Sequence, residues 1–439
     1  MKIKRLSAAV MAAAVLAVAA PVTGVLPNPL GMTSSASEYK AGDVFYAGLA
    51  EDGTVPYIVT AEEYEADPAN LYGVYQCTVK SDGTIKIGCH GAITPYPQFG
   101  KTLTIPSEIN GYTVTELGTS DKYSFGIFGC KKVVIPDTVT TIGESAFWKS
   151  CFLEEVEFGV NSRLKLIDQW SFQDCRSLKS ITIPASVETI MEGAFGNTDQ
   201  KLDGFYDRDQ NTDLDFTDTY SLTTVNFTEG SKLKLIDQWA LQGQEALKSI
   251  TLPDSLEKIG YGAFNHCTAL TKINVPKNVN EIGAFAFQIS GWNNESGSIT
   301  EITVDENNPN FKSVDGVVFS KDGKTIVAYP VAKSGKYEIP ADVNTIAEAA
   351  FASCPKLTSV TIPEGVTDIP ENAFSYCTSL AEVKLPSTLK TIAKWGFEAT
   401  ALTSIDIPES VTAIDAHAFE SSSLKQINGV AYSYAETFA

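Results

Sequence analysis

Histidine is nearly missing from this chain of 439 residues: His90, His266 and His417 are all there is. They stand far apart, and no Gly-x-Ser-x-Gly, His-Glu-x-x-His or Walker loop accompanies them. Triad, zinc-hydrolase and nucleotide-hydrolysis chemistry therefore have no motif to rest on, and no enzyme is expected. A carboxylate pair for glycoside hydrolysis would leave no such trace, because folding brings its members together. Positive charge is scarce too, with 33 Lys and Arg against 53 Asp and Glu, a net −20. Such a chain repels phosphate backbones and no basic patch offsets this, which argues against nucleic acid as a partner. Long apolar runs are confined to the start. Met1-Lys2-Ile3-Lys4-Arg5 followed by Leu6–Ala20 reads as a secretory signal peptide, residues 1–36, with Ser34-Ser35-Ala36 as the small-residue cleavage site. Its removal takes the net charge to −23. No later stretch approaches the roughly 18 apolar residues of a membrane span, so no membrane insertion is expected after cleavage.

What is abundant is a repeat. Between Ile339 and Ile427 one phrase is written four times: Ile-Pro-x-x-Val-x-x-Ile, then Ala-Phe or Gly-Phe, then Leu-x-x-Val/Ile. Pro340, Pro363, Pro386 and Pro408 step by 23, 23 and 22 residues, and Phe351, Phe374, Phe397 and Phe419 keep the same steps. A period of about 20–29 residues with fixed apolar positions marks a stacked solenoid. Val360, Thr361 and Ile362 alternate in, out, in, as a half-buried strand does. Pro363 has no N–H to donate, so the ladder stops and the chain turns. Val366 and Ile369 face inward on the next side, and Phe374 plugs the core beside the small Ala373. One coil cannot bury its own apolar face, whereas stacked coils share a continuous core. The expected fold is mostly β: a leucine-rich-repeat solenoid of about eleven coils of 22–25 residues with a small β-rich N-terminal cap.

The phrase Ile-Pro-x-x-Val-x-x-Ile-x-x-x-Ala-Phe-x-x-Cys-x-x-Leu resembles the BspA-type leucine-rich-repeat family of bacterial surface proteins. It recurs from about Leu103 to Ile427. Asn310–Pro330 is similar to a hairpin insert common in that family. The resemblance implies a secreted or cell-surface protein engaged in adhesion and protein binding.

Along the chain, 37–101 carries no repeat and reads as the β-rich cap, with a hairpin turn at Ser81-Asp82-Gly83-Thr84. The solenoid occupies 102–428, with insertions at 196–220, 288–298 and 305–330. Repeat proteins tend to push insertions out on one face, often the binding face. Residues 429–439 form a tail that starts a closing segment and stops, with no sorting motif or surface-layer repeat after it.

Four groups of residues are candidates for chemistry or binding. Asp207, Asp209, Asn211, Asp213, Asp215 and Asp218 place oxygens at positions 1, 3, 5, 7, 9 and 12 of a calcium-type loop. Thr212 stands where the turn-forming Gly belongs and Asp218 where Glu does, so weak calcium binding competes with a solvated acidic loop; no other cofactor is implied. Trp170, Trp239 and Trp395 sit just before the Ala/Gly-Phe plug, where Gly193 and Gly262 alternate with them; Trp292 lies in a loop. Two readings fit the Trp column: rings packing over the glycine of the next coil, or a platform for sugars. The second makes the alternative function a carbohydrate-binding accessory protein for polysaccharide degradation. Cys130, Cys151, Cys175, Cys267, Cys354 and Cys377 share one column, as buried thiols or cross-coil disulfides such as Cys354–Cys377. Cys77 and Cys89 flank the hairpin turn and, in a secreted chain, are expected to form a disulfide across it. Outward strand positions such as Thr361, Lys384 and Asp406 form polar ribbons that suit extracellular proteins or glycans without naming one.

Overall fold

The computed structural model describes residues 39–48, 55, 57–60, 74–89, 102–118, 130–150, 153–198, 222–288, 297–429 and 438. The signal peptide, the calcium-type loop and Trp292 lie outside them, as do most of insertions 196–220 and 288–298.

Most coils have two strands and a turn. The longer strand, such as Ser180–Ile183 or Lys272–Val275, alternates outward polar and inward apolar residues. The proline after it opens a tight turn whose carbonyl accepts the amide of the Val or Leu three residues on: Val139 to Pro136 at 3.2 Å, Val343 to Pro340 at 3.0 Å, Val411 to Pro408 at 3.1 Å. That bond is why Pro-x-x-Val repeats: Pro fixes the bend and Val then points inward. A two-residue strand follows, Thr141–Ile142 in one coil and Leu166–Ile167 in the next, with the Ile buried. These short strands build a continuous parallel ladder from Glu281–Ile282 back to Tyr112–Leu117. There Ile85–Cys89 joins in parallel and carries the sheet into an antiparallel cap of Val74–Val79, Val44–Gly48 and Tyr57–Thr60. The cap thus covers an edge that would otherwise be an open template.

The third side is a turn that carries the phenylalanine. Phe147, Phe172 and Phe195 stack at 4.9 and 5.3 Å with planes within 7° and 2°. Leu241 takes the column next, then Phe264 and Phe287 continue it at 6.2 Å. Tyr329, from the hairpin insert, supplies the ring ahead of Phe351, at 5.0 Å. Phe351, Phe374, Phe397 and Phe419 complete the pile at 4.8, 5.2 and 5.6 Å.

Two expectations are corrected here. Insertion 305–330 is not pushed out of the stack. Phe311–Val314 and Val317–Ser320 form its hairpin, and Thr325–Ala328 pairs in parallel with Thr345–Ile346, so the insert is a rung of the wall. Val317, Val318 and Ile326 are fully buried. The cysteines of the first hairpin do not face each other: Cys77 pairs with Ile87, and Cys89 with Tyr75. Cys77 is a free, buried thiol. The hairpin turns about Asp82, whereas Cys77 and Cys89 are equidistant from Gly83; one residue of offset staggers them by two, onto the long diagonal of the ladder.

Candidate functional site

The residue preceding the Ala-Phe plug has a left-handed backbone in coil after coil. Ser145, Trp170, Gly193, Trp239, Gly262, Phe285, Ala349, Asn372 and Trp395 have φ between 54° and 59°. Four residues on, Lys149, Asp174, Gly243, His266, Ser353, Tyr376, Ala399 and Ser421 do likewise. This conformation costs non-glycine residues energy, and the neighbouring coil holds it in place. Trp170, Phe172 and Asp174 donate their amides to the carbonyls of Glu192, Ala194 and Gly196 at 2.9, 2.8 and 3.0 Å. The turn is itself a hydrogen-bonded ladder, so each of its positions holds the same orientation from coil to coil.

The tryptophans use that angle to pack. The Trp170 ring lies against Gly193 and the Trp239 ring against Gly262, where an added Cβ would meet ring carbons at 2.5 and 2.2 Å. Trp239 also meets Tyr261 edge-on at 4.9 Å. Trp395 differs. Lys394 covers one face, with its Nζ 3.7 Å from the ring centroid, and the indole N–H donates to Glu420 at 3.0 Å. Gly262→Ala is expected to cost about 1–3 kcal/mol, from left-handed strain plus the ring clash. Trp239→Ala in the same chain relieves the clash, so the double variant should lose less than the sum of the two single losses. Strict additivity in urea denaturation would separate ring from glycine.

Beside Trp395, Tyr376 donates to Glu398 at 3.4 Å. Burial, then the neighbouring Glu420, lifts the Glu398 carboxyl above the usual range. Glu348 is raised the same way, by burial first and Glu371 second. An acid whose folded pKa is raised binds its proton more tightly in the fold. Stability therefore falls as pH rises from the unfolded to the folded pKa and stays lower above it. Glu398→Gln is expected to raise the melting temperature near pH 7 and to change little near pH 3, below the ordinary carboxylate range. A gain of equal size at both pH values would tie it to something other than the charge.

The cysteine column is a stack of buried thiols. Cys267, Cys354 and Cys377 are free, Cys130 and Cys175 are buried in the same column, and Cys151 lies outside the described residues. Cys175, Cys267 and Cys377 donate to the carbonyls of Phe147, Leu241 and Phe351 at 3.1, 3.3 and 3.0 Å. Burial pushes the Cys267 thiol up to about 12 and also raises Cys354, which has Cys377 beside it. Thiolate, the reactive form, is suppressed in both. Among the described residues no group of three or more His, Cys, Asp or Glu converges to hold a metal ion. His417 stands exposed beside Asp415, 3.3 Å away, and His266 is buried on another coil.

What remains is surface. Glu155, Thr182, Thr224, Thr251, Asn274, Glu382 and Asp406 stand exposed on the outward side of the long strands. Lysines of one coil pair with acids of a neighbouring one: Lys131 with Glu154, Lys132 with Glu155 at 2.7 Å, Lys234 with Glu257 at 3.0 Å, Lys258 with Glu281 at 2.7 Å. Exposed pairs of this kind contribute little stability; the first two stand at the long strands and the last two at the short ones. The residues missed from sequence are the left-handed ones, and their signal was present: Gly, Asn and Asp recur in the columns that hold Trp, His and Tyr.

Two solved structures share the fold. One is the pneumococcal vaccine antigen PcpA, 23% identical, TM-score 0.54, over 81% of this chain and 79% of that one. The other is a leucine-rich cell-surface protein from Faecalibacterium prausnitzii, 24% identical, TM-score 0.52, over 83% and 95%. Among curated proteins none matches the sequence. The family model described as the BspA type leucine rich repeat region matches residues 109–215, 210–323 and 329–433 in six copies. With the same period, plug and stacked core along most of its length, the chain belongs to the BspA-type leucine-rich-repeat family.

Proposed function

We propose that this is a secreted or cell-surface protein that binds extracellular proteins without chemistry, by complementarity along the solenoid. The observation that carries this reading is the outward row of exposed polar side chains, Glu155 through Asp406, over a sealed apolar core. A rigid surface of this length offers many weak contacts at low ordering cost. The leader at 1–36 fits the same reading. The glycan alternative needs free indole faces, and the rings of Trp170 and Trp239 are turned onto glycine backbone.

The test is solid-phase binding of the mature chain to immobilised extracellular-matrix proteins, run beside retention on insoluble plant polysaccharide. Saturable protein binding, weakened by Thr182→Lys and Thr251→Lys with melting unchanged, is the expected result. Retention on polysaccharide that Trp395→Ala abolishes, with no protein binding, would replace this reading by the carbohydrate one.

A further inference from the structure

The long-strand face is stitched in short sets, and one coil belongs to none of them. Ser180–Ile183 pairs with Thr224–Phe227, and Lys272–Val275 with Glu301–Val304. Between these sets runs Ser249–Leu252. Among the described residues, no backbone hydrogen bond joins it to Thr224–Phe227 before it or to Lys272–Val275 after it. Elsewhere the same coil is tightly registered. Leu235 and Ile236 pair with Lys258 and Ile259, and Leu241 donates to Ala263 at 2.9 Å. The coil is pinned on two sides and open on the third.

A groove of about 490 Å³ runs from the opening between Thr224–Phe227 and Ser249–Leu252 into the turns that follow them, Thr228 to Ser231 and Pro253 to Ser255. In a parallel ladder a residue directs its N–H and C=O to one neighbour, and the next residue directs them to the other. Thr224 and Thr228 donate to Lys179 and Ile183, at 3.3 and 3.0 Å. Val225 and Phe227 therefore turn their main-chain groups toward the groove. Above the two walls the side chains are Thr224, Asn226, Ser249 and Thr251, all exposed and uncharged, while Glu229 and Asp254, the latter paired with Lys277 at 2.8 Å, line its end.

We propose that this groove binds an extended, uncharged peptide segment of a partner protein, which adds as a strand between the two walls. The proposal rests on the binding reading above and names the partner chemistry at one place on that surface. Walls that offer alternating donors and acceptors ask the same of an occupant, and an extended main chain carries them at the strand repeat. No cation stands among the four side chains to hold an anion. The four-residue wall matches roughly 13 Å of extended peptide, at ~3.3 Å per residue.

Amide hydrogen exchange on the mature chain tests this. The probes are a blocked Thr-Val hexamer, the same hexamer N-methylated at alternate residues, and cellohexaose. In the free protein, amides of Ser249–Leu252 should exchange on the order of a hundredfold faster than those of Glu155–Phe158, which are laddered. The millimolar hexamer should slow them at least about tenfold, and the other two probes should not. Exchange as slow as in the laddered coil, equal protection by the N-methylated hexamer, or protection by cellohexaose alone would each overturn the proposal. If the hexamer fails while matrix proteins still bind, the groove is wrong and the binding reading stands. If both fail, both fall.

Discussion

Phe374→Ala is expected to cost about 3–5 kcal/mol of unfolding free energy, one of the two largest single effects in the molecule. Its ring is fully buried between Phe351 at 4.8 Å and Phe397 at 5.2 Å, nearly parallel to both. Truncation removes the transfer free energy of the ring, leaves a cavity that pinned coils cannot collapse into, and breaks two stacking contacts worth about 0.5–1.5 kcal/mol each. The same column supplies its own control. Leu241 fills the corresponding place between Phe195 and Phe264, so Phe374→Leu should cost about 1.5 kcal/mol or less. In a stack where each coil touches only its neighbours, the Ala variant should also split the unfolding transition and lower the apparent m-value. Urea denaturation reads both quantities. Equal losses for Ala and Leu, or an Ala loss below about 1 kcal/mol, would mean the rings do not form one pile.

The pile itself was legible, because its signal is repetition. Proline, isoleucine and phenylalanine at fixed steps force the same residue into the same place on every coil, and one coil's alternation then gives the strand. Features set by geometry across coils were harder to read. Trp170, Lys149 and Tyr376 adopt a left-handed backbone against their own preference, because the next coil's carbonyls accept their amides there. Only comparison with Gly193, Gly262 and Asn372 in the Trp170 column, and with Asp174 and Gly243 in the column four residues on, betrays the bend. The Cys77–Cys89 pairing failed on a hairpin axis misplaced by one residue, an error that local turn signals cannot correct. The insert at 305–330 was legible as a hairpin. Its place in the wall depends on Ile326 meeting Ile346, a contact that spacing within the insert does not encode. For the candidate surface, the sequence showed polar outward residues but not the break at Ser249–Leu252, whose phrase Ser-Ile-Thr-Leu reads like any other rung.

The second large effect is expected at Asn308, which sits fully buried where the chain leaves the strand Glu301–Val304 for the insert. Its amide donates to the carbonyls of Pro276 and Val279 at 2.8 and 2.9 Å, and its oxygen accepts from the amides of Asn310 and Phe311, both at 2.8 Å. One side chain thus ties the insert to the preceding coil. Leu has a similar size and none of these bonds, so Asn308→Leu removes the acceptor of the Asn310 and Phe311 amides and leaves the Pro276 and Val279 carbonyls only the longer bonds from the Val279 amide and the Asn310 side chain, both at 3.3 Å; it should cost about 2–5 kcal/mol. Asn308→Asp keeps the accepting oxygen but turns a carboxylate toward two carbonyls. Burial and those carbonyls favour the protonated acid, which raises its folded pKa above the unfolded one. Its stability should then fall as pH rises through that window, leaving the widest gap to the parent near neutral pH and a narrower one in acid, where the proton restores a donor. Thermal melts of the Leu and Asp variants across pH separate the two halves of the argument. The Leu loss should not move with pH, and the Asp loss should. An Asp variant as stable as the parent at neutral pH would show that the bonds to Pro276 and Val279 are not what holds the insert, and that buried Val317 and Ile326 hold it alone.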